Sequence, residues 1–270
     1  MSRTDLRAII EGLRDFDTAL LANTIDYIDP TPAHEFYMGG AIQSVTPTLG
    51  PTVGLAVVCE IDSSTANGNA SLGDYWKQLE EMSKMDLPTV WVVKTVGERP
   101  DHECVLGDGM AKTLYSVGCI GAVTDGGVRD VNGLITVPFA AYSKGKTVHH
   151  CALRFRALNI PVSIGGITVA PGDLIHANAE GVIKIPSGCI ARLIPAAVRM
   201  RAFEHEAHTL MRRTEIMPVE KRRAIAGLLN KYKFAHGGKT PEAAPDSSSE
   251  KPVRTGRAKG EGRFRRSTAR

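Results

Sequence analysis

Apolar positions along the chain fall into segments of two distinct periods. Leu6, Ile9, Ile10 and Leu13, then Leu20, Leu21 and Ile25, recur at helical spacing across residues 3–28, until Asp29-Pro30-Thr31-Pro32 breaks the pattern. The run TVGLAVVCEI, 52–61, is β-branched and apolar, which predicts a buried strand. A polar loop over 62–73 precedes DYWKQLEEMSKM, 74–85, which reads as a helix, and VWVVKTV, 90–96, reads as a second strand. Met110, Ala111, Leu114 and Val117 then follow helical spacing up to Gly118, a natural stop, and 120–124 reads as a third buried strand. Segments 137–142 and 148–155 look like strands, and 160–186 reads as short strands separated by Gly-Gly, Pro-Gly-Asp and Glu-Gly turns. Helices are expected over about 190–211 and 219–233, and no internal repeat is visible.

The strand, helix, strand order from 90 to 124 implies a parallel pair joined by a crossover. This topology puts the start of the helix, at Gly107-Asp108, and the loop after the third strand, Asp125 to Asp130, on the same carboxyl edge of the sheet. That edge is where such units bind ligands. The chemistry available there is specific. The first amides of the helix, at Gly109 and Met110, can hold a small carboxylate, and Gly109 lets a ligand approach closely. Arg129 can grip the same anion with its planar fork. Asp130 offers hard oxygens suited to Mg²⁺, and Asp108 can accept a hydrogen bond from a metal-bound water. Such a set suits a 2-oxo acid, whose enolate needs its negative charge stabilised. The same residues also allow a plain surface ion pair and a simple helix cap, and the residues alone leave that choice open.

Composition narrows the setting. The chain has 270 residues, 43% of them hydrophobic, enough for one sizeable domain, and no apolar run reaches transmembrane length. Five cysteines without a C-x-x-C pair argue against a disulfide framework and for a reducing, cytoplasmic setting. From Lys239 onward, nine Lys/Arg stand against four Asp/Glu, so the chain's net charge of +4 resides in its last segment. We divide the chain into one domain over 1–236 and a disordered basic tail over 237–270, read as a solubilising extension in preference to a nucleic-acid arm. His149 and His150, adjacent on a predicted strand, should point to opposite faces, one buried and one exposed, and Trp76 and Trp91 are expected to be packing anchors.

Gly107-Asp108, the Gly118 and Gly121 turn and Asp125-Gly126-Gly127-Val128-Arg129-Asp130 together resemble the signature of the 4-hydroxy-4-methyl-2-oxoglutarate aldolases, relatives of the regulator of ribonuclease E activity A. Val53 to Glu60 and Ile160 to Pro186 resemble two further family segments, so the likeness runs from about 15 to 210; Leu55, Val58 and Asn178 depart from the usual pattern. The resemblance implies a swivelling-domain-like α/β sandwich, with a central β-sheet flanked by helices and a C-terminal helical extension. It implies a class II pyruvate aldolase dependent on Mg²⁺ or Mn²⁺, trimeric or hexameric, with oxaloacetate decarboxylation as a side activity. In that reading Asp130 binds the metal, Arg129 and Asp108 are catalytic, and Gly107, Asp108, Gly109, Met110 and Arg129 bind substrate. A glutamate from a neighbouring subunit, Glu204 or more specifically Glu206, completes the metal site, and His150 or His176 lines the pocket. A non-catalytic regulator that binds a protein partner is the alternative.

Overall fold

The computed structural model describes residues 2–234, apart from 68 and 151. Two helices, α1 (Arg3–Leu13) and α2 (Thr18–Ile28), replace the single helical pattern predicted at the N-terminus. The break falls where the apolar repeat skips a turn, between Leu13 and Leu20, and buried Phe16 packs into the gap. The chain then alternates: β1 (Gln43–Ser44), β2 (Thr52–Asp62), α3 (Gly73–Met85), β3 (Thr89–Thr95), β4 (Cys104–Leu106), α4 (Asp108–Ser116), β5 (Cys119–Thr124), β6 (Gly127–Val128), α5 (Val131–Thr136), β7 (Ala140–Ser143) and β8 (Gly145–Lys146). The second half adds β9 (Arg154–Leu158), the hairpins β10 (Val162–Ile164)–β11 (Ile167–Val169) and β12 (Leu174–Asn178)–β13 (Gly181–Ile185), then α6 (Ile190–Met211) and α7 (Pro218–Lys231).

The central sheet has eight strands in the order β1-β7-β5-β3-β2-β12-β13, with β9 pairing the far half of β2, and it is nearly closed with helices on its flanks. β2, β3, β5 and β7 are parallel neighbours, as the crossover pattern requires. Both faces of β2 are buried: Val57, Cys59 and Ile61 join a cluster with Tyr75, Leu79 and Leu114 of α3 and α4, while Ala56 and Val58 join one with Val90, Val123 and Ile175. This two-sided burial explains the unbroken apolar run in the sequence. A third cluster joins Ile10, Leu21, Ile25, Leu193 and Met200 of α1, α2 and α6. Among the described residues no helix is long and apolar enough to cross a membrane.

Several expectations are corrected. The predicted strand 137–142 begins late, at Ala140, because Val131–Thr136 forms α5. The strand predicted at 148–155 begins at Arg154. His149 and His150 therefore lie outside any strand, neither is buried, and their rings sit side by side with centroids 5.7 Å apart. Trp91 is fully buried and donates its indole N–H to Gln78 Oε1 at 2.9 Å, but Trp76 is 55% exposed and anchors no core. Cys59, Cys104, Cys119 and Cys189 are buried free thiols, and Cys151 lies outside the described residues, as does the expected tail over 237–270.

Candidate functional site

Three short parallel strands, β4, β6 and β8, form a small sheet at the carboxyl edge of the large one. Sequence periodicity misses all three, because two or three residues beside glycines carry no period. Their ends define the site. β4 runs into Gly107 and α4, β6 into Arg129 and Asp130, and β8 into Thr147. Leu106 is the register partner of Val128, and the Arg129 amide donates to the Leu106 carbonyl at 2.9 Å. The loop before β6 is fixed to β3 by Asp125, whose carboxylate accepts from the Thr95 amide at 2.8 Å and hydroxyl at 3.0 Å, and pairs with Lys94.

This geometry brings the two predicted halves together. A Cβ at Gly107 would lie 2.8 Å from Asp130 Oδ2 and 3.0 Å from Arg129 Nε, which places both side chains against the start of α4. A Cβ at Gly133 would fall 2.6 Å from that of Asp108, which places Asp108 against the first turn of α5. Gly107 is the N-cap of α4 and Asp108 its first residue, so Asp108 is not the helix cap. It pairs instead with Lys112, one turn on, at 2.7 Å; that hydrogen bond, with help from the Gly109 amide, holds the Asp108 carboxyl below the usual aspartate range. Lys112 was legible from its i,i+4 spacing and was missed.

Asp130, the N-cap of α5, has φ 55° and ψ 39°, a left-handed backbone that aspartate adopts more readily than most residues, and its side chain makes no capping hydrogen bond. Its carboxylate is thus not consumed by local structure. Arg129 Nε forms an ion pair with Asp130 Oδ2 at 3.4 Å and is buried without a hydrogen-bond partner among the described residues. Arg129 and Asp130 face an open depression of about 450 Å³ whose walls include Asn132, Lys146 and Thr147. Gly109 is exposed and Met110 half-buried, and their amides belong to the first turn of α4, where N–H groups lack helical partners.

The donor set fits a hard divalent cation. No cluster of three or more His, Cys, Asp or Glu exists among the described residues. Mg²⁺ does not need one, since it takes one or two carboxylates and completes its shell with water and ligand oxygens. Asp130, with Asp108 at the same edge, supplies that much.

Other predicted residues lie elsewhere. Glu206, on α6, accepts from Lys231 Nζ at 2.6 Å and from the Tyr232 hydroxyl at 2.5 Å, and the Lys231 contact holds its carboxyl below the usual range. Glu204 accepts from Asn23 at 3.1 Å. His176 lines no open pocket. It is fully buried on β12, with Nδ1 3.0 Å from the Thr18 hydroxyl and Nε2 3.2 Å from the Leu13 carbonyl.

A profile of the RraA-like family, described as Aldolase/RraA, matches residues 22–184, well over half of the chain. The chain belongs to the RraA-like family. Among its relatives, a protein of Halalkalibacterium halodurans, provisionally named a 4-hydroxy-4-methyl-2-oxoglutarate aldolase, is 32% identical over 134 residues, 48% of this chain and 61% of that protein. The 4-hydroxy-4-methyl-2-oxoglutarate aldolase of Thermus thermophilus is 28% identical over 83 residues, 30% of this chain and 51% of the relative. The chain thus spans between half and two thirds of the length of these two relatives. RraAS2 of Streptomyces coelicolor, described as an unusual member of the RNase ES inhibitor RraA protein family, shares the RraA fold at TM-score 0.59 and 21% identity, over 74% of this chain and 96% of its own. A Pseudomonas syringae protein matches at TM-score 0.61 and 22% identity, over 80% and 93%. The RraA-like family includes both aldolases and non-catalytic regulators.

Proposed function

We propose that this chain is a divalent-metal-dependent lyase that cleaves a 4-hydroxy-2-oxo acid, substituted at C4 with methyl or carboxylate, to release pyruvate. The observation that carries this reading is the Gly107 contact: a bare backbone lets the Asp130 carboxylate and the Arg129 guanidinium close on the helix end.

In the cleavage, the 4-hydroxyl loses its proton, the C3–C4 bond breaks, and its electron pair remains on the pyruvate fragment as an enolate that is then protonated at C3. The Met110 amide, joined by the Gly109 amide when it turns from the Asp108 carboxylate, holds the substrate carboxylate at the helix terminus. Arg129, a fixed planar cation, stabilises the charge that develops on the enolate oxygen. Asp108, kept ionised beside Lys112, orients the water that accepts and returns the proton. A divalent cation, Mg²⁺ or Mn²⁺, held by Asp130 would polarise the 2-oxo group. Decarboxylation of oxaloacetate generates the same enolate and is a side activity of the same residues. Glu206 of a neighbouring subunit in a trimer or hexamer would help hold the metal, which requires it to exchange its Lys231 and Tyr232 contacts.

A coupled assay of pyruvate release across a panel of 2-oxo acids, with and without Mg²⁺ or Mn²⁺, tests the reading. Metal-dependent release from at least one 4-hydroxy-2-oxo acid is expected. No release from any of them, with the protein folded and oligomeric, leaves the regulator that binds a protein partner as the better description.

A further inference from the structure

Arg129 and Asp130 sit on a sheet of very short strands, and strands of two or three residues do not hold their own position. Something must fix them to the body. Glu103, immediately before β4, is 1% exposed, and its hydrogen bonds among the described residues come from uncharged donors at the end of β2. Oε2 accepts from the Ser63 amide at 2.8 Å and from the Ser63 hydroxyl, and Oε1 accepts from the Ser64 hydroxyl at 2.8 Å. Ser63 Oγ in turn accepts from the Cys104 amide at 2.9 Å, so the lock grips both the side chain and the strand that follows it. The serines themselves are braced by Asp62, whose Oδ1 accepts from the Ser64 amide at 3.2 Å and the Thr65 amide at 3.0 Å. Burial opposes the charge on Asp62, but the hydrogen bonds of Arg154 and Arg156 overcome it and hold the carboxyl well below the carboxylate range.

The lock leads directly to the site. The Glu103 carbonyl accepts from the Gly127 amide at 2.7 Å, and three residues further along β4 the Leu106 carbonyl accepts from the Arg129 amide at 2.9 Å. A Cβ at Gly126 would lie 3.3 Å from that of Glu103, so the loop closes tightly over it. Burying a carboxylate without a cationic partner is costly, and a neutral side chain would serve the core better. Three hydrogen bonds accepted by one carboxylate do, however, fix a strand more sharply than apolar packing does.

Resting on the metal site proposed above, we infer that Glu103 is a positioning residue that, through Ser63 and Ser64, sets the register of β4 against β6 and so the placing of Arg129 and Asp130 over Gly107. It touches neither substrate nor metal. Loss of such supporting groups typically weakens metal affinity about 10–100-fold.

The test compares wild type, Glu103→Ala and Glu103→Gln. Val58→Ala, in the cluster on the opposite face of β2, serves as a control for general destabilisation. Two readouts are taken on the full-length protein: the dissociation constant for Mn²⁺ alone, and amide exchange of residues 127–130. Glu103→Ala should weaken Mn²⁺ binding about tenfold or more and speed exchange at Gly127 and Arg129 beyond what Val58→Ala causes. Glu103→Gln should recover most of both, because its amide oxygen can serve the Ser63 N–H while the serine hydroxyls rotate to accept. If Glu103→Ala fails to fold, Ser63→Ala removes the shared hydroxyl and should give the same pattern. Exchange and Mn²⁺ affinity equal to the control in these variants overturn the inference. A wild type that binds no Mn²⁺, with exchange still faster in Glu103→Ala, supports the positioning role and counts against the metal reading instead.

Discussion

At the scale of single residues, the site and the core make opposite use of polar groups. Arg129 and Asp130 share only an ion pair at 3.4 Å, and the guanidinium Nε has no hydrogen-bond partner among the described residues. His176 spends all of its capacity, which gives it a measurable consequence. Burial, only partly offset by the Leu13 and Phe16 backbone contacts, lowers its pKa from 6.5 to about 4. Between those values the unfolded chain binds a proton that the folded chain refuses. Stability from this residue is therefore full above about pH 6.5 and is lost progressively as the pH falls toward 4, by on the order of 3 kcal/mol. Denaturant titrations from pH 7 to 4 should show that slope, and His176→Gln should flatten it. An unchanged slope in the variant would assign the acid sensitivity to other groups. The sequence could not place His176, because nothing in its neighbours reveals that α1 and α2 close over β12.

At the scale of elements, legibility followed period and length. β2, β3 and β5 were readable because seven or more mostly apolar residues, or a clean run beside a glycine stop, leave little choice. α5 was not. VNGLIT is β-branched at both ends, contains glycine, and reads as the approach to a strand. It is helical because the Asp130 carbonyl accepts from Leu134 at 3.1 Å and because Gly133 lets α4 lie against it. The convergence of Gly107-Asp108 with Arg129-Asp130 was legible from the crossover topology, while the small sheet that enforces it was not.

The α4–α5 contact makes a prediction with its own control. Gly133→Ala would ordinarily favour the helix by up to about 1 kcal/mol. Here the new methyl meets Asp108 at 2.6 Å, and overpacking of that kind costs about 1–3 kcal/mol. The variant should be less stable than wild type and should release pyruvate more slowly, since Asp108 must move. Gly227→Ala on α7, where nothing lies within 4 Å, should be stabilising by about 0.5–1 kcal/mol and catalytically silent. Thermal melts and initial rates of the pair decide the matter; equal stabilisation in both would mean that α4 and α5 part easily.

At the scale of the whole molecule, the proposed site lies in an open depression at a sheet edge, and none of the residues of α7 is buried. Both facts suit a protein whose site is finished by another copy. Light scattering of the proposed enzyme should give a trimer or a multiple of three, and a fully active monomer would remove the role given to Glu206. The central claim, however, concerns two adjacent residues, and steady-state kinetics against a Mg²⁺ titration tests it most directly. Asp130→Asn keeps the shape but not the charge, so it should need more metal and turn over more slowly. Arg129→Lys keeps the charge but loses the fork, and removal of one such preorganised group should cost about 10²–10³ in rate, or about 3–4 kcal/mol. Both variants should melt near wild type, because they lie at the edge and outside the core clusters. Near-wild-type rates and metal dependence in both would contradict the account.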